Sequence, residues 1–192
     1  MKNVRVARSG DVCVLLEPSK DELADLRKQQ ALLQTHFGGR FHKNIHLTCQ
    51  RFKLPGTLSS IELMQHLQTT LIHFQPFPIV ATSLDLHDSP FWRSHLLRWN
   101  IQPTEEICSF ATCLTRSLKA INITPHYDPA AWPTAAHVTA LEAVTTLDLH
   151  SNPFDHEFPL HLFIAQRIVL SKINGRDAFE IVGQAQLHAQ YI

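Results

Sequence analysis

The chain has 192 residues, 44% of them apolar and 18% charged, and its 17 basic and 17 acidic side chains balance to a formal charge of zero. Such a composition excludes a disordered chain, and the missing basic excess excludes a protein that wraps long nucleic acid. No apolar run approaches the ~18 residues a membrane span needs, and the length suits one domain, or two small lobes, with a proper core.

In chain order, Val12 to Leu16 predicts a first strand, ended by Pro18. Ser19 with Glu22 three residues on is a capping box. It opens a helix to about Thr35 with Leu23, Leu26 and Leu33 inward, and Gly38-Gly39 stops it. A strand is predicted from Asn44 to Phe52, followed by a turn at Pro55-Gly56. Ser59 and Glu62 form a second capping box, whose helix carries Met64, Leu67, Leu71 and Phe74 at helical spacing. Phe77 to Leu86 and Ser94 to Ile101 read as neighbouring strands across a polar turn that contains His87-Asp88-Ser89. Thr104, followed by Glu105 and Glu106, caps a third helix striped by Ile107, Phe110, Ala111, Leu114 and Leu118. A loop rich in Pro and aromatics, Thr124 to Thr134, leads to a strand at Ala136 to Ala140. After a polar segment, Leu160 to Leu170 and Ala178 to Leu187 read as two strands, with a hairpin signal at Asn174-Gly175-Arg176-Asp177. Helices and antiparallel strands mix without a strict βαβ repeat, so the fold class is α+β.

Cys13, Cys49, Cys108 and Cys113 lack paired spacing and read as reduced thiols of a cytoplasmic protein. The charged N-terminus, with Lys2, Arg5, Arg8 and Asp11, lacks the apolar core of a secretion signal.

Two of the predicted strands carry the same triplet. His46-Leu47-Thr48 and His137-Val138-Thr139 each read His, aliphatic, Thr, and lie 91 residues apart. Composition alone gives roughly one such His-x-Thr by chance. The weight therefore lies in context, because each copy sits in a short apolar run behind a helix. In a strand, residues i and i+2 share a face, so each His lies beside its Thr with the aliphatic residue turned away. Two imidazoles and two hydroxyls facing each other would make an acid, a base and two donors without a metal. By the same alternation Gln50 continues the face of Thr48, and Arg51 falls on the other. Tyr127 and Trp132, just before His137, could stack on a base or pin their loop to the core. The 13 His raise a metal-binding alternative, but no acid accompanies two His on one helical face and no Cys pair has zinc spacing. His66 and His73, which could share a face, have no carboxylate partner.

The two triplets, their separation and the α+β order resemble the two-histidine (2H) phosphoesterase superfamily, the family of the so-called 2′-5′ RNA ligases and RNA 2′,3′-cyclic phosphodiesterases. The resemblance covers most of the chain, from the strand and helix before His46 to the hairpin around Asn174. It implies a single bilobal domain over residues 1–192, built as two pseudo-symmetric lobes of antiparallel sheet with flanking helices, facing across a central cleft. It implies hydrolysis of a 2′,3′-cyclic phosphate on an RNA 3′ end or a small cyclic nucleotide, with no metal and no cofactor. His46 would be the general acid and His137 the general base, while Thr48 and Thr139 hold phosphate oxygens. Tyr127, Trp132 and Arg51 are the candidate substrate contacts. A monomer away from membranes is expected. A 2H-fold protein that binds a small phosphodiester without turnover, or acts on another one, is the alternative.

Overall fold

The structure, a computed structural model, describes residues 8–90, 93–149, 157–174 and 179–187. Both predicted capping boxes form. Ser19 and Ser59 accept from the N–H of Glu22 and Glu62, whose carboxylates take the cap N–H in return. They open α1 (Lys20–Phe37) and α2 (Ser60–Leu71). Thr104 caps α3 (Glu105–Ala120), which buries Ile107, Phe110, Ala111, Leu114 and Leu118 as the stripe predicts.

Among the described residues there are nine strands: β1 (Asp11–Glu17), β2 (Arg40–Phe41), β3 (Leu47–Lys53), β4 (Phe77–Ser89), β5 (Ser94–Ile101), β6 (His137–Glu142), β7 (Leu160–Ala165), β8 (Arg167–Ile173) and β9 (Phe179–Gln186). All pair antiparallel, in the order β7-β4-β5-β6-β3-β1-β8-β9, with β2 on β6. Helices and antiparallel strands together make the expected α+β fold.

The centre of the sheet is its narrowest point. β3 and β6 meet through a single residue pair, Leu47 with Val138. On one side lie β3, β1, β8 and β9, and on the other β6, β5, β4 and β7. A near two-fold relation through that pair maps β3 on β6 and β1 on β5. Each half runs strand, helix, strand: β1-α1-β3 in the first, β5-α3-β6 in the second. α1 packs over β6 and β7 of the opposite half, and α3 packs on β3, so each helix ties the halves together. Leu47, Val138, Trp99, Phe52, Phe110 and Phe163 are essentially inaccessible and belong to one continuous core. Burying side chains of this size stabilises by about 1.5–3 kcal/mol each.

Three expectations need correction. The strand predicted from Asn44 begins at Leu47, so His46 stands just before it. His87-Asp88-Ser89 is not a turn but the end of β4, paired with Leu96, His95 and Ser94; the backbone satisfies the ladder whatever the polarity of its side chains. The apolar run Leu160 to Leu170 is two strands, broken at Gln166, with β7 on β4 in the second half and β8 on β1 in the first. A continuous apolar run carries no mark of that crossing. The strand predicted to start at Ala178 is described from Phe179, Ala178 itself lying outside the described residues. β8 and β9 pair as a hairpin would, but the turn signal at Gly175, Arg176 and Asp177 lies outside the described residues. Among the described residues no helix is long and apolar enough to cross a membrane.

Candidate active site

The two triplets meet at the narrow centre of the sheet. With Leu47 paired to Val138 and both fully buried, the residues one step away on each strand point to the opposite face. Antiparallel geometry sets His46 near Thr139 and Thr48 near His137, and the two His diagonally, where Cα atoms stand about 7–8 Å apart. All four side chains are partly accessible, and a charge on His137 disfavours protonation of His46.

Both rings are pinned alike. His46 Nδ1 lies 2.6 Å from the carbonyl oxygen of Asn44, and His137 Nδ1 lies 3.1 Å from that of Ala135. A carbonyl can only accept, so each Nδ1 carries the hydrogen and each neutral ring keeps its Nε2 lone pair for a ligand. Among the described residues no hydrogen bond takes up the hydroxyl of Thr48 or Thr139, leaving both as donors.

The pKa values depart from the ordinary value near 6.5 that the composition suggests. Burial drives His46 down to about 3, helped by the neighbouring His42, against the bond to Asn44 that favours the charged form. Burial drives His137 down to about 4, helped by the Arg98 guanidinium and opposed by the Ala135 bond. Both rings are therefore neutral at pH 7.

A matching irregularity follows both triplets. The β1–β3 register slips between Val14 and Leu15, which face Gln50 and Thr48, so Cys49 is an extra residue. The β5–β6 register slips between Leu97 and Arg98, which face Leu141 and Thr139, so Ala140 is the counterpart. Such bulges recur next to functional sites and re-aim side chains. Here the first one reverses the predicted alternation. Gln50 turns into the interior, donating to Thr115 and the Tyr127 carbonyl and accepting from the Tyr127 N–H. Arg51 joins the face of Thr48 and pairs across from Cys13.

Arg51 is nonetheless buried. Its Nε sits 3.7 Å from Asp11, itself inaccessible, and 3.3 Å from His126 Nδ1, and its guanidinium lies 5.5 Å from the centre of the Tyr127 ring. Trp132 is buried too, in a 3-10 turn (Trp132–Ala135), and donates its indole N–H to the Thr48 carbonyl at 2.9 Å. The structure thus brings His46, Thr48, His137 and Thr139 together, and spends Arg51 and Trp132 on holding the strand beneath them. Tyr127 is partly buried over Arg51. The His66 side chain joins α2 to α3 through Ser117 Oγ at 2.9 Å and is not paired with His73.

Three neighbours escaped the sequence reading. His42 is buried, its ring 5.8 Å from His46, and its Nδ1 lies 2.5 Å from Glu142 Oε1. Burial alone would raise the Glu142 carboxyl, but the His42 bond and the Arg40 guanidinium at 2.9 Å outweigh it and hold it below the usual range. A cavity of about 180 Å³ opens beside this group, walled also by Phe179, whose ring is 5.6 Å from His46. On the other side Arg98 stands directly across from Thr139 and is ion-paired to Asp85 on β4. No local pattern marks these residues, because their relevance comes from strand register.

At the level of sequence, no family model and no curated protein matches the chain. At the level of fold the likeness is extensive, and the structural neighbours include a phosphoesterase and Escherichia coli LigT. A crystal structure described only as a phosphoesterase superposes with a TM-score of 0.60 at 15% identity, covering 95% of this chain and all of that one. Escherichia coli LigT complexed with NADP+ gives 0.57 at 15% identity, over 94% of this chain and 99% of LigT. The same protein complexed with 3′-AMP gives 0.54 at 14%, over 95% and 100%. The fold is thus the one that the paired triplets implied.

Proposed function

We propose that the chain is a metal-independent phosphodiesterase that opens a 2′,3′-cyclic phosphate, on an RNA 3′ end or a small nucleotide, with His46 and His137 as the proton-transfer pair. One observation carries the reading: two imidazoles, each fixed through Nδ1 on the carbonyl two residues back and each beside an unengaged threonine hydroxyl, are joined by one buried residue pair. A phosphate seated between them would meet two Nε2 atoms and two O–H donors. The nucleotides held by E. coli LigT suit a ligand of that class.

In the hydrolytic direction one neutral Nε2 takes a proton from water as its oxygen attacks phosphorus. The bond from phosphorus to the leaving ribose oxygen breaks, and the other ring, protonated at Nε2, gives that oxygen its proton. Water is added across one P–O bond, and each ring ends in the opposite protonation state. Thr48 and Thr139 hold the non-bridging oxygens as their charge grows. Arg98 disfavours a proton on His137, which suits the base. The acid must gain its proton as the ligand binds. An anion about 4 Å away is worth ~4 kcal/mol at an effective dielectric of 20, close to three pKa units. That is enough to bring an imidazole from about 3 toward the neutral range. The same low values favour a second reading, a phosphodiester-binding protein without turnover.

The test is hydrolysis of 2′,3′-cyclic nucleotides and of RNA ending in a cyclic phosphate, with and without chelator. We expect chelator-insensitive turnover with a bell-shaped pH profile that loses a different limb in His46→Ala and in His137→Ala. Tight binding without turnover selects the second reading, and turnover surviving both substitutions removes the proton-transfer pair.

A further inference from the structure

The second half of the sheet carries a row of polar side chains that the paired triplets do not account for. β5 places Leu97, Trp99 and Ile101 in the core, so Arg98 and Asn100 face the other way, as His137 and Thr139 do. β4 pairs Ser83 with Asn100, Asp85 with Arg98 and His87 with Leu96. Asn100 Nδ2 donates to Ser83 Oγ at 3.1 Å. Arg98 is charge-coupled to both His137 and His87. It is the cation directly opposite Thr139 in the strand register.

Its partner and its burial distinguish it from the other cations near the triplets. Arg51 is held by Asp11, which has no accessible surface, and Arg40 is itself 65% exposed, so water screens its charge. Buried carboxylates hold their partners tightly because separation strands a charge away from water. The Asp85 side chain is 36% exposed, and ion pairs with a solvated member are weak. Arg98 is itself only 16% exposed, so its charge is poorly screened. Its Nε–H is buried with no hydrogen-bond partner, as are the Nε–H of Arg167 and Oδ1 of Asp11 in the first half, but Arg98 alone of the three stands across the strand register from a triplet threonine. A guanidinium presents donors in a fork that matches phosphate oxygens.

We propose that Arg98 is the residue that takes the negative charge of the bound phosphate on the Thr139 side, with Asp85 holding the guanidinium in place and yielding part of it when the anion arrives. The proposal rests on the reading of this site as a phosphodiester site and adds the group that neutralises the ligand. Asp85 is a positioning residue. His87 and His137 are the other titratable groups facing Arg98, so both should sense its removal.

The test uses the full chain, with inorganic phosphate as probe, followed by calorimetry and 31P NMR at pH 7, beside hydrolysis of a 2′,3′-cyclic nucleotide. Arg98→Met should weaken phosphate binding about 10- to 100-fold, the weight of a charge-assisted contact, and Arg98→Lys less. Asp85→Asn should strengthen binding several-fold, because it removes the competing carboxylate. If the pair is only structural, Asp85→Asn leaves phosphate binding unchanged or weaker. The imidazole 15N titration of His137 should move upward in Arg98→Met, as removal of a neighbouring positive charge requires. Unchanged phosphate affinity in Arg98→Met, in a protein that still hydrolyses the cyclic nucleotide, overturns this proposal and leaves the reaction standing. Arg98-dependent phosphate binding without hydrolysis keeps the proposal and removes the cyclic phosphodiesterase reading. A wild type that neither binds phosphate nor hydrolyses removes both.

Discussion

His46 and His137 stand on matching scaffolds in unlike company. Each follows a strand and a helix, donates Nδ1–H to a carbonyl two residues back, and precedes a bulge. Around His137 the sheet face is polar, with Ser83, Asp85, His87, Arg98 and Asn100. In the first half, the same face of β1 and β8 carries an apolar cluster of Cys13, Leu15, Val169 and Ile173, with Phe179 packed on it, flanked by the Arg51–Asp11 and Arg167–Glu17 ion pairs. The Cys13 thiol there is pushed up to about 12, chiefly by burial. The cation counterpart of Arg98 in the first half is Leu15, since Leu15 faces Thr48 as Arg98 faces Thr139. Backbone duplication therefore repeats a histidine beside a threonine, while side chains make the two surroundings chemically distinct. A cation stands opposite Thr139, and an apolar side chain opposite Thr48.

The largest expected effect that separates the surroundings of the two imidazoles is at Glu142, which contacts His42 beside His46. Glu142→Gln removes the carboxylate that His42 and Arg40 both contact, and should cost about 1–3 kcal/mol in urea unfolding, as leaving a buried polar group unsatisfied does. Asp85→Asn on the other side should cost at most ~1 kcal/mol, because its partner contact is half solvated. Equal costs would erase the difference drawn between the two ion pairs.

Acid should expose the shared feature next. Both imidazoles titrate lower in the folded protein than near 6.5, at about 3 and about 4. The unfolded chain therefore binds more protons between those values and 6.5, and stability falls as pH drops through that window, by up to about 1.4 kcal/mol per pH unit for each ring. His46→Gln should flatten the slope by one ring's share. An unchanged slope between pH 6.5 and 4.5 contradicts the depressed values. The smallest effect is at Trp132, where Trp132→Phe removes the hydrogen bond to the Thr48 carbonyl. It should lower stability by roughly 1 kcal/mol with KM for the cyclic substrate unchanged. A raised KM would instead return Trp132 to the ligand.

Much of this was legible beforehand. Ser19 with Glu22, Ser59 with Glu62, and Thr104 mark three helix starts by local chemistry, and all three caps form. The paired triplets, read through their family resemblance, pointed to this fold. Relations between strands were not legible. Cys49 and Ala140 are bulged only with respect to β1 and β5, so alternation along β3 wrongly sent Gln50 outward and Arg51 away. Arg98 looks like any strand arginine until the β5–β6 register sets it opposite Thr139. Glu142 and His42 are 100 residues apart and meet only because β2 pairs with β6. The sequence reads Trp132 either as a stacking platform or as a loop anchor, and only the fold shows that its indole N–H reaches the Thr48 carbonyl.

The account turns on two imidazoles serving a single phosphorus centre, and a double-mutant cycle on kcat with a 2′,3′-cyclic substrate reads that directly. His46→Ala and His137→Ala should each lower kcat by about 10²–10⁴-fold, and the double variant should fall at most about tenfold further, because residues that act as a unit are lost together. Losses that multiply in full, or a single variant that keeps wild-type kcat, would contradict a shared centre.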